Sequence, residues 1–220
     1  MLPGMYPGIH ATKNPDRAAF IMASTGEAVT YADFEARANR LAHLLADTGL
    51  ERTDHYSVFM ENNNRYLESC AAGERSGLYY TCINSYLTAE ELAFIISDSA
   101  SRVIITSRAK LPVVAEALAT CPEVVLTLVV DGSDIEATLG TTTVNNASIV
   151  DYATAVAAHG AEPLANERLG TAMLYSSGTT GRPKGILRPL PDQSPAEPLP
   201  LFTFLAKLWK YREDMSYLSP

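Results

Sequence analysis

Short apolar runs alternate with amphipathic stretches along most of the chain. The spacing of apolar positions at three and four residues predicts helices, and the short runs between them are typical of buried strands. Predicted strands cover residues 18–23, 28–31, 56–60, 79–83, 102–106, 124–130 and 171–174; predicted helices cover about 32–48, 65–76, 88–97, 110–120, 149–158 and 201–211. This alternation predicts an α/β protein with a mostly parallel sheet and helices on both faces.

Several element ends carry recognisable signals. The turn at 24–27 predicts a hairpin between the first two strands. Thr30 is a candidate N-cap, and Thr88 with Glu91 forms a candidate capping box. Residues 1–17 are dotted with proline and glycine and are predicted to lie on the surface, and residues 131–146 are predicted to form a polar loop.

Composition narrows the class of protein. The chain has 220 residues, a net charge of −8 and a pI near 5.0, which argues against a nucleic-acid-binding protein. Neither a signal peptide nor a transmembrane run is predicted. Cys70, Cys82 and Cys121 are widely spaced and are interpreted as reduced thiols, the first two in the core. We therefore expect a cytoplasmic protein, and we assign no metal ligands; His43 is interpreted as a satisfied side chain.

The most informative stretch is the polar segment 175–185, which follows the last predicted strand. Its glycines bring backbone N–H groups close to a ligand, its hydroxyls donate hydrogen bonds, and Lys184 adds a positive charge. Such a loop suits the phosphates of a nucleotide. Because Pro183 precedes the lysine, the segment is not the common P-loop, and Lys184 is predicted to lie on a loop rather than in a helix.

The same stretch resembles the signature loop of the adenylate-forming (AMP-binding) superfamily of acyl-CoA synthetases, luciferases and peptide-synthetase adenylation domains. That pattern, Ser/Thr-Ser/Thr-Gly-Thr-Thr-Gly-x-Pro-Lys-Gly, is matched at every fixed position by residues 176–185. Segments 29–34, 62–77 and 84–91 also resemble the superfamily's N-terminal motifs, in the correct order. The resemblance covers nearly all of residues 15–188.

The resemblance implies an N-terminal fragment of a fatty-acyl-CoA synthetase, which joins a carboxylate to ATP and then transfers the acyl group to CoA. The complete enzyme would use ATP, Mg²⁺ and CoA. Arg182 occupies the variable position and is expected to face solvent. Lys184 is the implied catalytic residue, and the implied phosphate-binding residues are Ser176, Ser177, Gly178, Thr179, Thr180, Gly181 and Lys184.

The resemblance also suggests a division into an α/β region, residues 1–187, and a truncated second subdomain, residues 188–220. The superfamily's later motifs have no candidates here, so the chain alone is expected to be inactive. Two alternatives stay open: a non-catalytic homologue that binds a nucleotide or a partner, and an enzyme for amino or aryl acids. The segment 201–211 is expected to pack on a further part of the protein, with a peripheral membrane contact as the alternative. Because a domain cut within its core would expose apolar surface, the chain is also expected to form homo-oligomers.

Overall fold

The computed structural model describes residues 6–176, 182–212 and 215–218. Within these ranges the helices are α1 (Pro7–Lys13), α2 (Tyr31–Asp47), α3 (Tyr66–Ser76), α4 (Ala89–Asp98), α5 (Leu111–Leu118), α6 (Ile135–Leu139), α7 (Tyr152–Ala157) and α8 (Pro200–Leu208). The strands are β1 (Ala18–Ile21), β2 (Ala28–Thr30), β3 (His55–Phe59), β4 (Tyr79–Cys82), β5 (Ser101–Ser107), β6 (Leu126–Val130), β7 (Thr143–Val144), β8 (Ala147–Asp151), β9 (Thr171–Ala172), β10 (Leu174–Ser176) and β11 (Lys184–Ile186).

A seven-stranded sheet forms the centre of the molecule, in the order β7-β8-β6-β5-β3-β4-β9. Its neighbouring strands pair in parallel, except that β7 pairs with β8 antiparallel. Strands β1 and β2 form a separate antiparallel hairpin, as their turn predicted. The mostly parallel α/β architecture predicted from the sequence is therefore confirmed.

Helices cover both faces of this sheet. Successive residues of a strand point to opposite sides, so each central strand contributes apolar side chains to a core cluster on each face. Val58, Ile105 and Leu128 pack in one core cluster with residues of α2, α3 and α7. The neighbouring residues Phe59, Ile104 and Val129 pack in a second cluster with α4 and α5. Burial on both faces explains why these strands are continuous apolar runs in the sequence.

The helix caps predicted from the sequence are present. The Thr30 hydroxyl accepts a hydrogen bond from the Asp33 amide at 3.1 Å. At α4, the Thr88 hydroxyl accepts from the Glu91 amide at 3.4 Å, and the Thr88 amide donates to the Glu91 carboxylate at 2.9 Å. These caps satisfy amide groups that the first helical turn leaves without partners, and so fix where α2 and α4 begin.

Helix α1 forms within the predicted surface segment 1–17 and has no buried residues. Two sequence predictions are wrong. The predicted loop at 131–146 contains α6 and β7. The predicted helix at 149–158 begins as strand β8, in which Ile149 and Val150 pair with Thr127 and Leu128 of β6. The helix starts only at Tyr152, because the Asp151 carboxylate accepts the Thr154 amide at 2.8 Å and acts as the N-cap.

The proline-rich segment beyond β11 runs back along the sheet without a helix or strand until α8, as predicted. Hydrogen bonds hold it in place: the Arg52 guanidinium donates to the Leu190 carbonyl at 3.1 Å, and the Leu169 amide donates to the Gln193 carbonyl at 2.9 Å. Among the described residues, no helix has the length and apolar character needed to cross a membrane.

Candidate functional site

The candidate site lies on the hairpin formed by β10 and β11. This hairpin follows the carboxyl end of edge strand β9, and the Met173 amide between β9 and β10 donates to the Tyr80 carbonyl at 2.9 Å. Tyr175 pairs with Gly185, and Ser176 pairs with Lys184. The hairpin thus follows the carboxyl end of a strand of the parallel sheet, the edge where α/β proteins usually bind ligands.

The structure brings two of the predicted site residues together. Ser176 and Lys184 face each other across the last pair of the hairpin, and both side chains are exposed. Lys184 is not in a helix, as Pro183 predicted, but it is the first residue of a strand and not part of the loop itself. The other predicted phosphate-binding residues lie outside the described residues: Ser177, Gly178, Thr179, Thr180 and Gly181.

The predicted buried strand 171–174 is divided. Met173 is buried, but Leu174 is 45% exposed and begins β10, which pairs with β11 instead of extending the central sheet. A Cβ on Gly185 would overlap the Met173 methyl group and lie 3.2 Å from the Tyr175 ring. Glycine at this position therefore permits close packing inside the hairpin.

Helix α4 supports the hairpin at two points. The Tyr175 hydroxyl donates to the Asp98 carboxylate at 2.6 Å. Partial burial and this carboxylate raise the pKa of Tyr175, so the hydroxyl keeps its proton at neutral pH. The Arg182 guanidinium lies 5.4 Å from the centre of the Phe94 ring, a cation–π contact.

Arg182 is exposed, as expected, but its guanidinium also contacts the Phe94 ring of α4. Phe94 and Asp98 are supporting residues that the sequence analysis missed. Their spacing of four residues places them on one side of α4, but no local signal indicates that the hairpin packs there.

Two grooves flank the hairpin. One, of about 660 Å³, lies between α4 and α5 and ends at Arg182; it is lined by the carboxylates Glu90, Asp98 and Glu116. These acidic groups would repel a polyanion, so the groove does not suit phosphates. The exposed side chains of Ser176 and Lys184 at the end of the hairpin suit them better.

The second groove, of about 490 Å³, lies between the β4–β9 edge and α8. Its floor includes Glu74, whose carboxylate accepts the Tyr80 hydroxyl at 2.9 Å. Burial raises the pKa of Glu74 above its usual value. Arg188 and Lys207 line the same groove, which is therefore mixed in charge. Within the described ranges, no cluster of three His, Cys, Asp or Glu side chains could hold a metal ion.

Comparison with known proteins shows which family the chain matches. The profile of the family described as "AMP-binding enzyme" matches residues 9–189. A 3-oxocholest-4-en-26-oate–CoA ligase of Rhodococcus rhodochrous is 32% identical over 79% of this chain and 30% of its own length. The long-chain-fatty-acid–CoA ligase FadD13 of Mycobacterium tuberculosis is 30% identical over 80% of this chain and 33% of its own length.

A solved structure shows the same fold. It is the inhibitor-bound N-terminal domain of FACL13 from Mycobacterium tuberculosis, with a TM-score of 0.64 and 28% identity over 83% of this chain and 43% of that one. The chain spans about a third of the length of the curated relatives it matches.

Proposed function

The chain belongs to the family of AMP-binding enzymes, and we propose that it supplies the ATP-phosphate-binding part of an acid–CoA ligase. The observation that carries this proposal is the hairpin geometry. Ser176 and Lys184 stand opposite each other at the base of a hydroxyl-rich loop on the carboxyl edge of the sheet. Helix α4 fixes both sides of that hairpin through Asp98 and Phe94.

In the proposed reaction, a carboxylate oxygen attacks the α-phosphorus of ATP, and pyrophosphate leaves to give acyl-AMP. The thiol of CoA then attacks the acyl carbonyl carbon, and AMP leaves. Lys184 and the loop hydroxyls hold the β- and γ-phosphates and stabilise the charge that grows on the departing pyrophosphate. Magnesium ion would accompany ATP and would neutralise further phosphate charge.

We assign the phosphate contacts within the loop by chemistry. The hydroxyls donate hydrogen bonds, the glycine amides approach the phosphates closely, and Lys184 supplies the positive charge. The residues proposed for these contacts are Ser176, Ser177, Gly178, Thr179, Thr180, Gly181 and Lys184.

The proposed acid is an apolar carboxylate, of the fatty-acid or steroid side-chain class. The support is that the Rhodococcus relative is a ligase of 3-oxocholest-4-en-26-oate and the Mycobacterium relative is a ligase of long-chain fatty acids. A panel of fatty, steroid-derived, aryl and amino acids distinguishes this class from the alternatives.

The phosphate site is tested by measuring Mg-ATP binding to the 220-residue chain by calorimetry. We expect Lys184→Ala to weaken binding about tenfold or more, since a charge-assisted hydrogen bond contributes roughly 1.5–3 kcal/mol. Its unfolding midpoint should stay unchanged, because an exposed lysine packs little. Lys207→Ala, at another exposed lysine, serves as the matched control and should bind ATP normally. Equal affinity in the two variants would reject the assignment of Lys184.

The catalytic proposal is tested by ATP–pyrophosphate exchange. We propose that the 220-residue chain alone gives no exchange, and that the same chain fused to the remaining portion of the Rhodococcus ligase gives acid-dependent exchange. Exchange by the short chain alone would mean that residues within 1–220 complete the chemistry. If the fusion folds and binds ATP yet exchanges with no acid of the panel, a nucleotide- or partner-binding role without catalysis is favoured instead.

We also propose a structural division between residues 187 and 188. The support is the absence of helix and strand from residues 187–199. Limited proteolysis should cut within this stretch before it cuts the sheet region, and early cleavage between β3 and β8 would contradict the division.

A further inference from the structure

Two cysteines meet at the junction of α3 and β4. Cys70 lies on α3, Cys82 is the last residue of β4, and their Sγ atoms are 3.6 Å apart. Both are free thiols. The sequence analysis placed both in the core, but Cys82 is exposed and Cys70 is only half-buried. The prediction for Cys82 is wrong, because Cys82 is the last residue of β4 and lies at the end of the strand instead of in its buried middle.

The surroundings of Cys82 favour its thiolate. A hydrogen bond from the Cys70 thiol has the largest effect and lowers the pKa of Cys82. Desolvation by the surrounding protein opposes it, and a hydrogen bond from the Tyr66 hydroxyl lowers the pKa further. The pKa of Cys70 is raised, because Cys70 donates this hydrogen bond to Cys82 and is also desolvated by burial. The pair therefore has one accessible, nucleophilic sulfur and one neighbouring thiol.

We propose that Cys70 and Cys82 form a redox-active dithiol, which hydroperoxides oxidise to a disulfide joining α3 to β4. The argument stands on the separation of the two sulfurs, the exposure of Cys82 and the hydrogen bonds that it accepts. It does not depend on the proposed phosphate site or on any nucleotide.

The chemistry proceeds in two steps. Cys82 loses its thiol proton, and its thiolate attacks one oxygen of hydrogen peroxide. The O–O bond breaks, and the departing hydroxide takes up that proton as water, leaving a sulfenic acid at Cys82. The Cys70 sulfur then attacks the Cys82 sulfur, the S–O bond breaks, and the proton of the Cys70 thiol leaves with the hydroxide as water. The two thiols lose two electrons in total, and the peroxide is reduced to two molecules of water.

The buried thiol provides an internal control. Cys121 is 0% exposed and packs in the other core cluster, between α4 and α5. Burial also raises the pKa of Cys121 above its ordinary value. A buried, protonated thiol reacts slowly with peroxide, so Cys121 should stay reduced while the pair is oxidised.

The test treats the native 220-residue chain with graded hydrogen peroxide and follows intact mass and peptide maps. We expect a loss of about 2 Da, a peptide in which Cys70 is linked to Cys82, and full reversal by dithiothreitol. In Cys70→Ser, dimedone should trap a sulfenic acid at Cys82; in Cys82→Ser, residue 70 should remain a thiol under the same dose.

A second probe does not require oxidation. Phenylarsine oxide binds two neighbouring thiols, so the native chain should take up one equivalent and each single variant none. Oxidation of Cys121 before the pair, or disulfides formed only between separate chains, would overturn the proposal. The proposal would also be overturned if Cys82 of the native chain stayed unmodified at hydrogen peroxide doses that oxidise a free thiol in solution.

Discussion

At the scale of single residues, the sequence predicts which side chains bind phosphate, but it does not predict which residues of other elements contact and support them. Ser176 and Lys184 were identified from the motif, and the structure places them opposite each other. Asp98 and Phe94 were not identified, because their contacts with Tyr175 and Arg182 join segments about 80 residues apart. Residue type and spacing reveal a loop that suits phosphate, but the helix that supports it emerges only from tertiary packing.

Gly170 is a second position whose structural role the sequence does not indicate. It is buried at the start of β9, and its amide donates to the Glu74 carbonyl at 2.9 Å. A Cβ at this position would overlap the backbone carbonyl oxygens of Gly73 and Leu78. Backbone atoms cannot move aside as a side chain does, so only glycine fits.

We therefore expect Gly170→Ala to destabilise the fold by about 3 kcal/mol, the cost of overpacking a rigid site. The free energy of unfolding in urea measures this change. Gly160→Ala is the matched control, because the three atoms nearest to its new methyl group all belong to the flexible carboxylate of Glu162. We expect this control to stay within about 0.5 kcal/mol of the native chain. Equal losses in the two variants would show that contact with the backbone does not set the cost.

At the scale of elements, long periodic segments were predicted well and short ones poorly. Helices α2 and α4 have strong caps and several turns, and both lie close to their predicted limits. Strand β8 was mistaken for the start of a helix, since Ile149 and Val150 also fit a helical apolar face. Its pairing with β6 decides the outcome, and a single sequence does not show that pairing.

A buried ionic contact joins α2 to α3. Arg75 is 0% exposed and donates to both Glu35 carboxylate oxygens, at 2.8 and 2.9 Å, and also to the Asn39 side chain. Its guanidinium lies 5.3 Å from the centre of the Tyr6 ring. The charge is therefore satisfied on several sides, as buried charges must be.

Removing one member of this contact should be costly. We expect Arg75→Met to reduce the free energy of unfolding by about 3–5 kcal/mol, because it leaves Glu35 and Asn39 without their partner. Arg102→Met, which breaks a half-exposed pair with Asp54 at 3.5 Å, is the control and should cost about 0–1 kcal/mol. Chemical denaturation of both variants makes the comparison. If Arg75→Met costs no more than Arg102→Met, the contact does not hold α2 and α3 together.

At the scale of the whole molecule, the alternation of strands and helices predicted the class of fold but not the order of the strands. The chain places β9 beside β4, although almost 90 residues separate them in the sequence. That placement brings the loop hairpin next to α4 and the proline-rich segment next to β9. The position of the candidate site thus depends on a long-range pairing that periodicity does not encode.

The same architecture leaves an apolar surface on α8. Leu201, Phe204 and Leu208 recur at helical spacing and are 53%, 61% and 59% exposed, whereas Ala206 on the other side is buried. An isolated apolar side chain on a surface is common, but an apolar row along one helix favours association. Trp209 extends this surface and is also exposed.

We therefore expect the 220-residue chain to self-associate, with a weight-average mass that rises with concentration in sedimentation equilibrium. Phe204→Glu with Leu208→Glu should shift the protein towards the monomer, because two charges would have to be buried in the contact. The matched control is Ile21→Glu with Leu67→Glu, at residues that are comparably exposed, 62% and 48%, but lie on separate elements. That control should associate like the native chain. A native monomer at every concentration would contradict the prediction, and flotation of that monomer with anionic vesicles would favour the membrane contact for α8 instead.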